Sequence, residues 1–321
     1  MINTLGDQQM AKRWSPEGGS AHVSAFFSED ACVEPLVLDS FEHTLTTNYA
    51  SESIVVESEN PSARLFSSCF SAEGTITVSN GDSSHTLNAI GVGGDFFSFH
   101  PLELLSGGYF DDTDFNGDFC VLDEVAAWKI FGSNDVAGQI LYVGDVPLIV
   151  RGVVKQPDDK VAKAAGALTD MCYVSYEYLR SYGTCGNINC YEIVTPNPVP
   201  DYAVDKLKSS IGINENDMVL FENTARFSMA NRWNLLTNSY QRSMITRDIS
   251  YPYWENIARN MEDRIVVLTV FYMLFLVYSI ILTLVLVVIL IIQNAHNVKA
   301  LFIWLFENIS VLFTPKGEER R

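Results

Sequence analysis

Basic residues are scarce in this chain of 321. Lys and Arg number 21 against 39 Asp and Glu, a formal charge of −18. The shortage is local: residues 1–263 carry a net −20 and residues 264–321 a net +2. Phosphate contacts need clustered Lys and Arg, so the acidic part is no nucleic-acid binder. Close docking on anionic lipid is disfavoured for the same reason, while an acidic surface keeps a water-exposed domain soluble. No C-x-x-C pair occurs among the six cysteines, and His22, His43, His85, His100 and His296 are scattered, so no zinc-ligand spacing is present. There is no G-x-x-x-x-G-K-[ST], no G-x-S-x-G and no H-E-x-x-H. ATP binding through a P-loop and the common hydrolase chemistries are therefore not indicated. Gly91-Val-Gly93-Gly94 lacks the dinucleotide spacing and reads as a tight turn. No catalytic residue, cofactor or resident metal is assigned.

Charge is missing altogether from one stretch, Ile265 to Ile292, which also lacks Pro and Gly. A bilayer core of about 30 Å is spanned by about 20 apolar helical residues. The run exceeds that length, and its polar positions are few: Thr269, Ser279 and Thr283. It reads as a transmembrane helix over 265–292.

Before it, His22–Ser28 reads as a strand. Val33, Leu36, Val37, Phe41 and Leu45 recur at helical spacing within 29–49, and Ser53–Glu57 reads as a second strand. A similar unit comes late: strand Asn189–Val194, a helix from Asn197 to Ser210 with Pro in its first turn, and strand Asp217–Phe221. Between them lie short strand candidates at Ala63–Phe70, Thr75–Ser79, His85–Val92, Phe119–Leu122, Gln139–Val143 and Pro147–Val154, with Asn80-Gly81-Asp82 as a hairpin turn. Helices are read at Asp95–His100 and Asp123–Phe131. The fold class that follows is α+β: two β-α-β halves with an inserted β-rich subdomain, about 63–180, followed by one transmembrane helix. Ala225–Thr246 and Trp254–Arg264 read as helices, a stalk over 228–264. Beyond the span, Val298–Phe313 is too short to cross a bilayer and reads as an interfacial helix, followed by a solvated tail within 293–321.

Two small motifs are candidates. Asp112, Asp114, Asn116 and Asp118, with Asp123 later, imitate a calcium loop, but the incoming Leu104–Phe110 reads as a Gly-broken strand or turn and the outgoing Phe119–Leu122 as a strand, so a solvated acidic loop with Asp123 capping the next helix is favoured. Cys185 and Cys190 close a short Gly/Asn turn, and a disulfide there is available to a domain outside the cell. Cys32, Cys69, Cys120 and Cys172 read as small core residues.

A longer block is more specific. Val92-Gly-Gly-Asp-Phe-Phe-Ser-Phe-His-Pro-Leu-Glu-Leu-Leu-Ser-Gly-Gly-Tyr-Phe110 is followed by Cys120-Val-Leu-Asp-Glu-Val-Ala-Ala-Trp-Lys-Ile-Phe-Gly132, Val136-Ala-Gly138 and Val146-Pro-Leu-Ile-Val-Arg-Gly-Val-Val154. In this order the segments resemble the extracytoplasmic core domain of MacB-like ABC transporter permeases. The resemblance runs over about 22–227. Arg13-Trp-Ser-Pro-Glu17, Tyr191–Val199, Glu222–Phe227 and Tyr251–Arg259 are similar to a clostridial-type branch of such proteins. It implies a porter-like fold with a β-rich insert. Phe96, Phe97, Phe110, Trp128 and Phe131 would be core, and Phe96, Gly108, Phe131 and Gly152 are structural markers. It also implies a non-catalytic role, with a separate ABC ATPase, further permease helices and an oligomer as partners.

Family members commonly carry four spans, one before the domain and three after; this chain shows one, after the domain. Two functions follow: a membrane-anchored component of an ABC-type export or mechanotransmission complex, or a single-span surface binding or sensor module. The resemblance places 1–263 outside the cell and the tail from Gln293 inside. Nearby charge is nearly even: Arg247, Arg259 and Arg264 against Lys299, Lys316, Arg320 and Arg321. Met1–Met10 has neither a basic start nor an apolar run, so it is no signal peptide. The expectation is that 1–21 is cut short and that a complete version has a span just before Leu5.

Overall fold

The computed structural model describes residues 6–54, 63–111, 117–156, 160–237, 249–294 and Trp304. The chain divides into two compact units, Met1–Asp263 and Arg264–Arg321. In chain order the helices are α1 (Met10–Trp14), α2 (Pro35–Ser51), α3 (Phe96–Phe99), α4 (Glu124–Phe131), α5 (Lys160–Ala164), α6 (Tyr176–Tyr182), α7 (Tyr202–Ser210), α8 (Met229–Thr237) and α9 (Tyr253–Gln293). The strands are β1 (Ser20–Phe27), β2 (Ser67–Asn80), β3 (Ser83–Gly94), β4 (Leu104–Gly107), β5 (Phe119–Asp123), β6 (Ile140–Val143), β7 (Val146–Val154), β8 (Met171–Ser175), β9 (Thr184–Cys185), β10 (Cys190–Pro196) and β11 (Met218–Glu222).

The fold is mixed α+β around one large sheet ordered β11-β1-β10-β2-β3-β8-β5-β7-β4. Its first four strands are antiparallel neighbours. Hence β1 and β2 run parallel with β10 between them, and β10 and β11 run parallel with β1 between them. The two β-α-β halves are split and interleaved, not side by side. Their helices share one face. Leu38, Phe41, Leu45 and Tyr49 of α2 are buried there with Ala203 and Leu207 of α7. The i, i+3, i+4 spacing aligns these side chains on one stripe, and each large apolar residue buried adds about 1.5–3 kcal/mol. Tyr49 stacks on Tyr202, and its hydroxyl lies 2.6 Å from Thr195 Oγ1.

The β-rich insert shares strands with this sheet. β2 and β3 run on as a long hairpin about Gly81, whose φ is 60°. Beyond it, β3 pairs with β8, β8 with β5, β5 with β7 and β7 with β6. The ring returns to β2 through Ser79 and Tyr142. Ile76, Val78, Leu87, Cys120, Leu122, Leu141, Leu148, Val150, Cys172 and Val174 are buried together in one cluster of this part.

Several expectations are corrected. Of the strand read at Ser53–Glu57 only Ser53 and Ile54 are described, and they follow α2 as a turn: Ser53 is left-handed at φ 59°, Ile54 N–H donates to Tyr49 O, and the next strand among the described residues is β2. Residues 55–57 lie outside the described residues. Gly91 and Gly93 are not in a turn but inside β3, where a Cβ on Gly93 would sit 2.2 Å from the Phe70 ring. Trp128 is 59% exposed, not core, and Cys32 is exposed. The helix after β10 begins at Tyr202, and Asn197 Oδ1 accepts from Ala203 N–H. The helix read over 225–246 begins at Met229, and 238–248 lie outside the described residues. β8 and α6 carry no counterpart in the sequence reading.

In α9 the apolar run is continuous with the polar turns that precede it. By length and composition it is the one helix among the described residues able to cross a membrane, and none of its most apolar window is buried. Val298–Phe313 lies outside the described residues except Trp304.

Candidate functional site

Strand periodicity gathers polar side chains onto the sheet face opposite α2 and α7. On β1, His22 and Ser24 share a face with Phe26; on β10, Glu192 lies between Cys190 and Val194. The register sets Ser24 opposite Glu192 and Glu192 opposite Cys69 of β2, so the three form a row across the sheet. His100, following α3, completes the group. All five residues are buried.

Glu192 is the centre. Ser24 Oγ donates to its Oε1 at 2.5 Å, His22 Nε2 lies 3.3 Å from the same oxygen, and His100 Nε2 hydrogen-bonds Oε2. His100 Nδ1 is 3.2 Å from Asp7 Oδ1, on the turn before α1. Burial alone would raise the Glu192 pKa; the charge of His100 and hydrogen bonds from His100 and His22 overcome it and hold the carboxyl well below its usual range. Burial would likewise lower the His100 pKa, and the Glu192 charge with hydrogen bonds to Asp7, Cys69 and Glu192 drives it well above the ordinary value. Burial pushes the Cys69 thiol up to about 12.

A second cluster adjoins the first through Asn223, just after β11. Asn223 Nδ2 donates to Ser24 Oγ at 2.6 Å, and its Oδ1 accepts from Arg226 Nη1 at 3.2 Å. The Arg226 guanidinium then grips α9. It makes a fork to Glu255 at 2.6 and 2.7 Å, and its Nε donates to Glu262 at 2.7 Å. Seven residues apart on a helix is one face, so one planar cation serves both carboxylates. Arg259 adds a bond to Glu255 at 3.1 Å and lies over the Tyr251 ring at 3.7 Å. Trp254 packs on His100 with ring centres 4.5 Å apart. The first turns of α9 are thus tied to the sheet by a chain of buried polar bonds. Such a chain can hold an element in register.

The sequence candidates lie elsewhere. Asp112, Asp114 and Asn116 are outside the described residues. Asp118 is half-buried, and its carbonyl accepts from Ile149 N–H. Asp123 caps α4 through Ala126 N–H at 2.7 Å, as its position before the helix suggests. Cys185 and Cys190 are both free thiols: Cys190 belongs to the cluster around Glu192, Cys185 packs with those of the other face and the β-rich part, and the sheet separates them. Phe96 and Phe97 are buried, whereas Phe110 and Phe131 are half-buried. Gly152 and Gly108 make a close backbone approach, since a Cβ on Gly152 would lie 2.3 Å from Gly108 O. The polar network itself was missed. Its sequence signal is a Glu and a His inside largely apolar strands, at Glu192 and His22.

The family model described as MacB-like periplasmic core domain matches residues 13–201, more than half the chain. Among curated relatives, the macrolide export ATP-binding/permease protein MacB of Chromobacterium violaceum is 41% identical over 73 residues, 22% of this chain and 11% of that protein. Its namesake in Pasteurella multocida is 28% identical over 130 residues, 39% of this chain and 20% of that protein. The chain thus spans a fifth or less of the length of these two relatives. Of solved structures, the periplasmic region of MacB from Actinobacillus actinomycetemcomitans aligns at TM-score 0.42 and 18% identity, covering 71% of this chain and 95% of that one. The extracellular domain of the ABC-type transporter YknZ from Gram-positive bacteria aligns at TM-score 0.39 and 14% identity, covering 62% and 99%. With the family pattern running from Arg13 in α1 to Asp201 before α7, this chain belongs to the MacB-like periplasmic core domain family.

Proposed function

We propose that the chain is a membrane-anchored, non-catalytic component of an ABC-type export or mechanotransmission complex, working with a separate ATPase and further membrane helices. The observation that carries this reading is the grip of Arg226 on Glu255 and Glu262. Both carboxylates sit on the helix that goes on as the apolar run. Breaking a buried ion pair by removing one partner costs about 3–5 kcal/mol, so movement of the root of α9 is resisted by the sheet instead of being absorbed in a loose linker. That is the connection a part relaying motion from membrane to domain requires. Membership of the MacB-like family supports the transport context, and the curated relatives above are macrolide exporters by name. In this reading residues 1–263 are outside the cell, the tail from Gln293 is inside, and one apolar run makes a pore only in an oligomer or with another permease chain.

Purification of the full chain in mild detergent tests the proposal. The expected result is co-purification of an ABC ATPase and additional permease helices. Recovery of a lone monomer overturns it and favours a single-span surface binding or sensor module, the reading to which the acidic body and single apolar run also conform.

A further inference from the structure

We propose that Cys69, His100 and Glu192 form a buried structural site for a divalent transition-metal cation of the zinc class, with His22 as fourth ligand. The sequence offers no ligand spacing, because the donors come from four separate places: β1, β2, the turn after α3, and β10. The fold converges three of them. One ligand atom each from Cys69, His100 and Glu192 lies within 4.8 Å of the others, and all three residues are buried. His22 Nε2 reaches the same carboxylate at 3.3 Å. One sulfur, two imidazole nitrogens and a carboxylate oxygen are the donors that zinc takes in four-coordinate sites.

A second observation points the same way. His100 presents Nε2 to the cluster while its Nδ1 meets Asp7 Oδ1 at 3.2 Å. Ligating histidines are held in this manner, with the second ring nitrogen on a carboxylate that fixes the tautomer and strengthens the ligand. Charge also balances. A dication meets one thiolate and one carboxylate between two neutral imidazoles, so the filled site is neutral in a region that tolerates no net charge. On binding, the Cys69 S–H bond and the His100 Nε2–H bond to Glu192 break, S–metal and N–metal bonds form, and both protons leave to solvent. The plain alternative is a carboxylate bonded by two imidazoles and a hydroxyl. That network accounts for Glu192 without needing a thiol beside it. The site concerns the stability of the domain and does not depend on a transport role.

The experiment uses the full chain in detergent, stripped with a chelator and titrated with Zn2+ and Co2+. About one metal per chain is expected. The Co2+ form should show a thiolate-to-metal charge-transfer band in the near ultraviolet, and Zn2+ should raise the unfolding temperature. Cys69→Ser should abolish the band. Asp7→Asn, at a partly exposed position outside the ligand set, should fold and bind Zn2+ about ten- to a hundredfold more weakly. Absence of stoichiometric uptake, absence of the thiolate band, or equal Zn2+ affinity in Asp7→Asn overturns the proposal. Should Cys69→Ser fail to fold, the wild-type band and the Asp7→Asn affinity still decide.

Discussion

At the scale of single residues, burial and partnership set each charged group's behaviour. Glu192 and Asp123 are both buried acids, yet their pKa values move in opposite directions. Glu192 has imidazole partners and is held low; Asp123 caps α4, but burial dominates and raises its pKa. Its Oδ2 has no hydrogen-bond partner. The sign of the consequence is definite. A carboxyl with a raised folded pKa binds its proton more tightly folded than unfolded. Stability is then greatest below the unfolded value and falls as pH climbs from that value through the folded one. Asp123→Asn keeps an acceptor for Ala126 N–H and removes the charge, Asn being an equally good cap. Urea unfolding at a series of pH values should show the Asn variant gaining on wild type as pH rises through this window. A difference that does not vary with pH would show that Asp123 does not titrate differently in the two states.

At the scale of elements, α9 is two things in one helix. Its first turns are polar and fixed by Arg226 and Arg259; its later turns carry no charge. The Arg226 bonds require a planar fork, and a lysine offers one point charge to two carboxylates. Arg226→Ala should therefore lower the unfolding free energy of the body by about 3–5 kcal/mol. Arg226→Lys should recover less than half of that. Denaturant unfolding of the full chain in detergent, followed by Trp fluorescence, measures both. Full rescue by Lys would mean that charge, not fork geometry, holds the helix. The long hairpin of β2 and β3 is the other bridging element: its near half belongs to the interleaved β-α-β sheet and its far half to the β-rich ring. This is why the insert is not a separate body stitched on by linkers.

For the whole molecule, charge and hydropathy divide the chain as its contacts do. The break falls at Asp263 and Arg264, where the acidic body ends and the mildly basic remainder begins. The proposed orientation makes a direct prediction. Protease added to intact spheroplasts should digest residues 1–263 and leave a membrane-protected fragment containing the apolar run. Survival of the body while an outside control is cut would place it in the cytoplasm and remove the ground for an extracytoplasmic role.

What the sequence determined by itself is whatever depends on neighbours along the chain. The uncharged run to Ile292, the strand at His22–Ser28, the helical stripe through Phe41 and Leu45, the hairpin at Gly81 and the cap at Asp123 are local patterns, and local physics enforces them. The ordered block from Val92 to Val154 added the family. Strand order is not local. The sequence has no means of stating that β10 inserts between β1 and β2, or that Met171–Ser175 becomes a central strand with Ser175 capping α6. Only that order brings Ser24, Glu192 and Cys69 into one row and sets His100 above them. Arg226 falls in the helix read over 225–246, and neither it nor Asn223 has a stated partner until Glu255 and Glu262 arrive from α9. Polar residues distant along the chain acquire meaning when burial removes water and each must find its partner in the protein. The tertiary structure alone decides which partner that is.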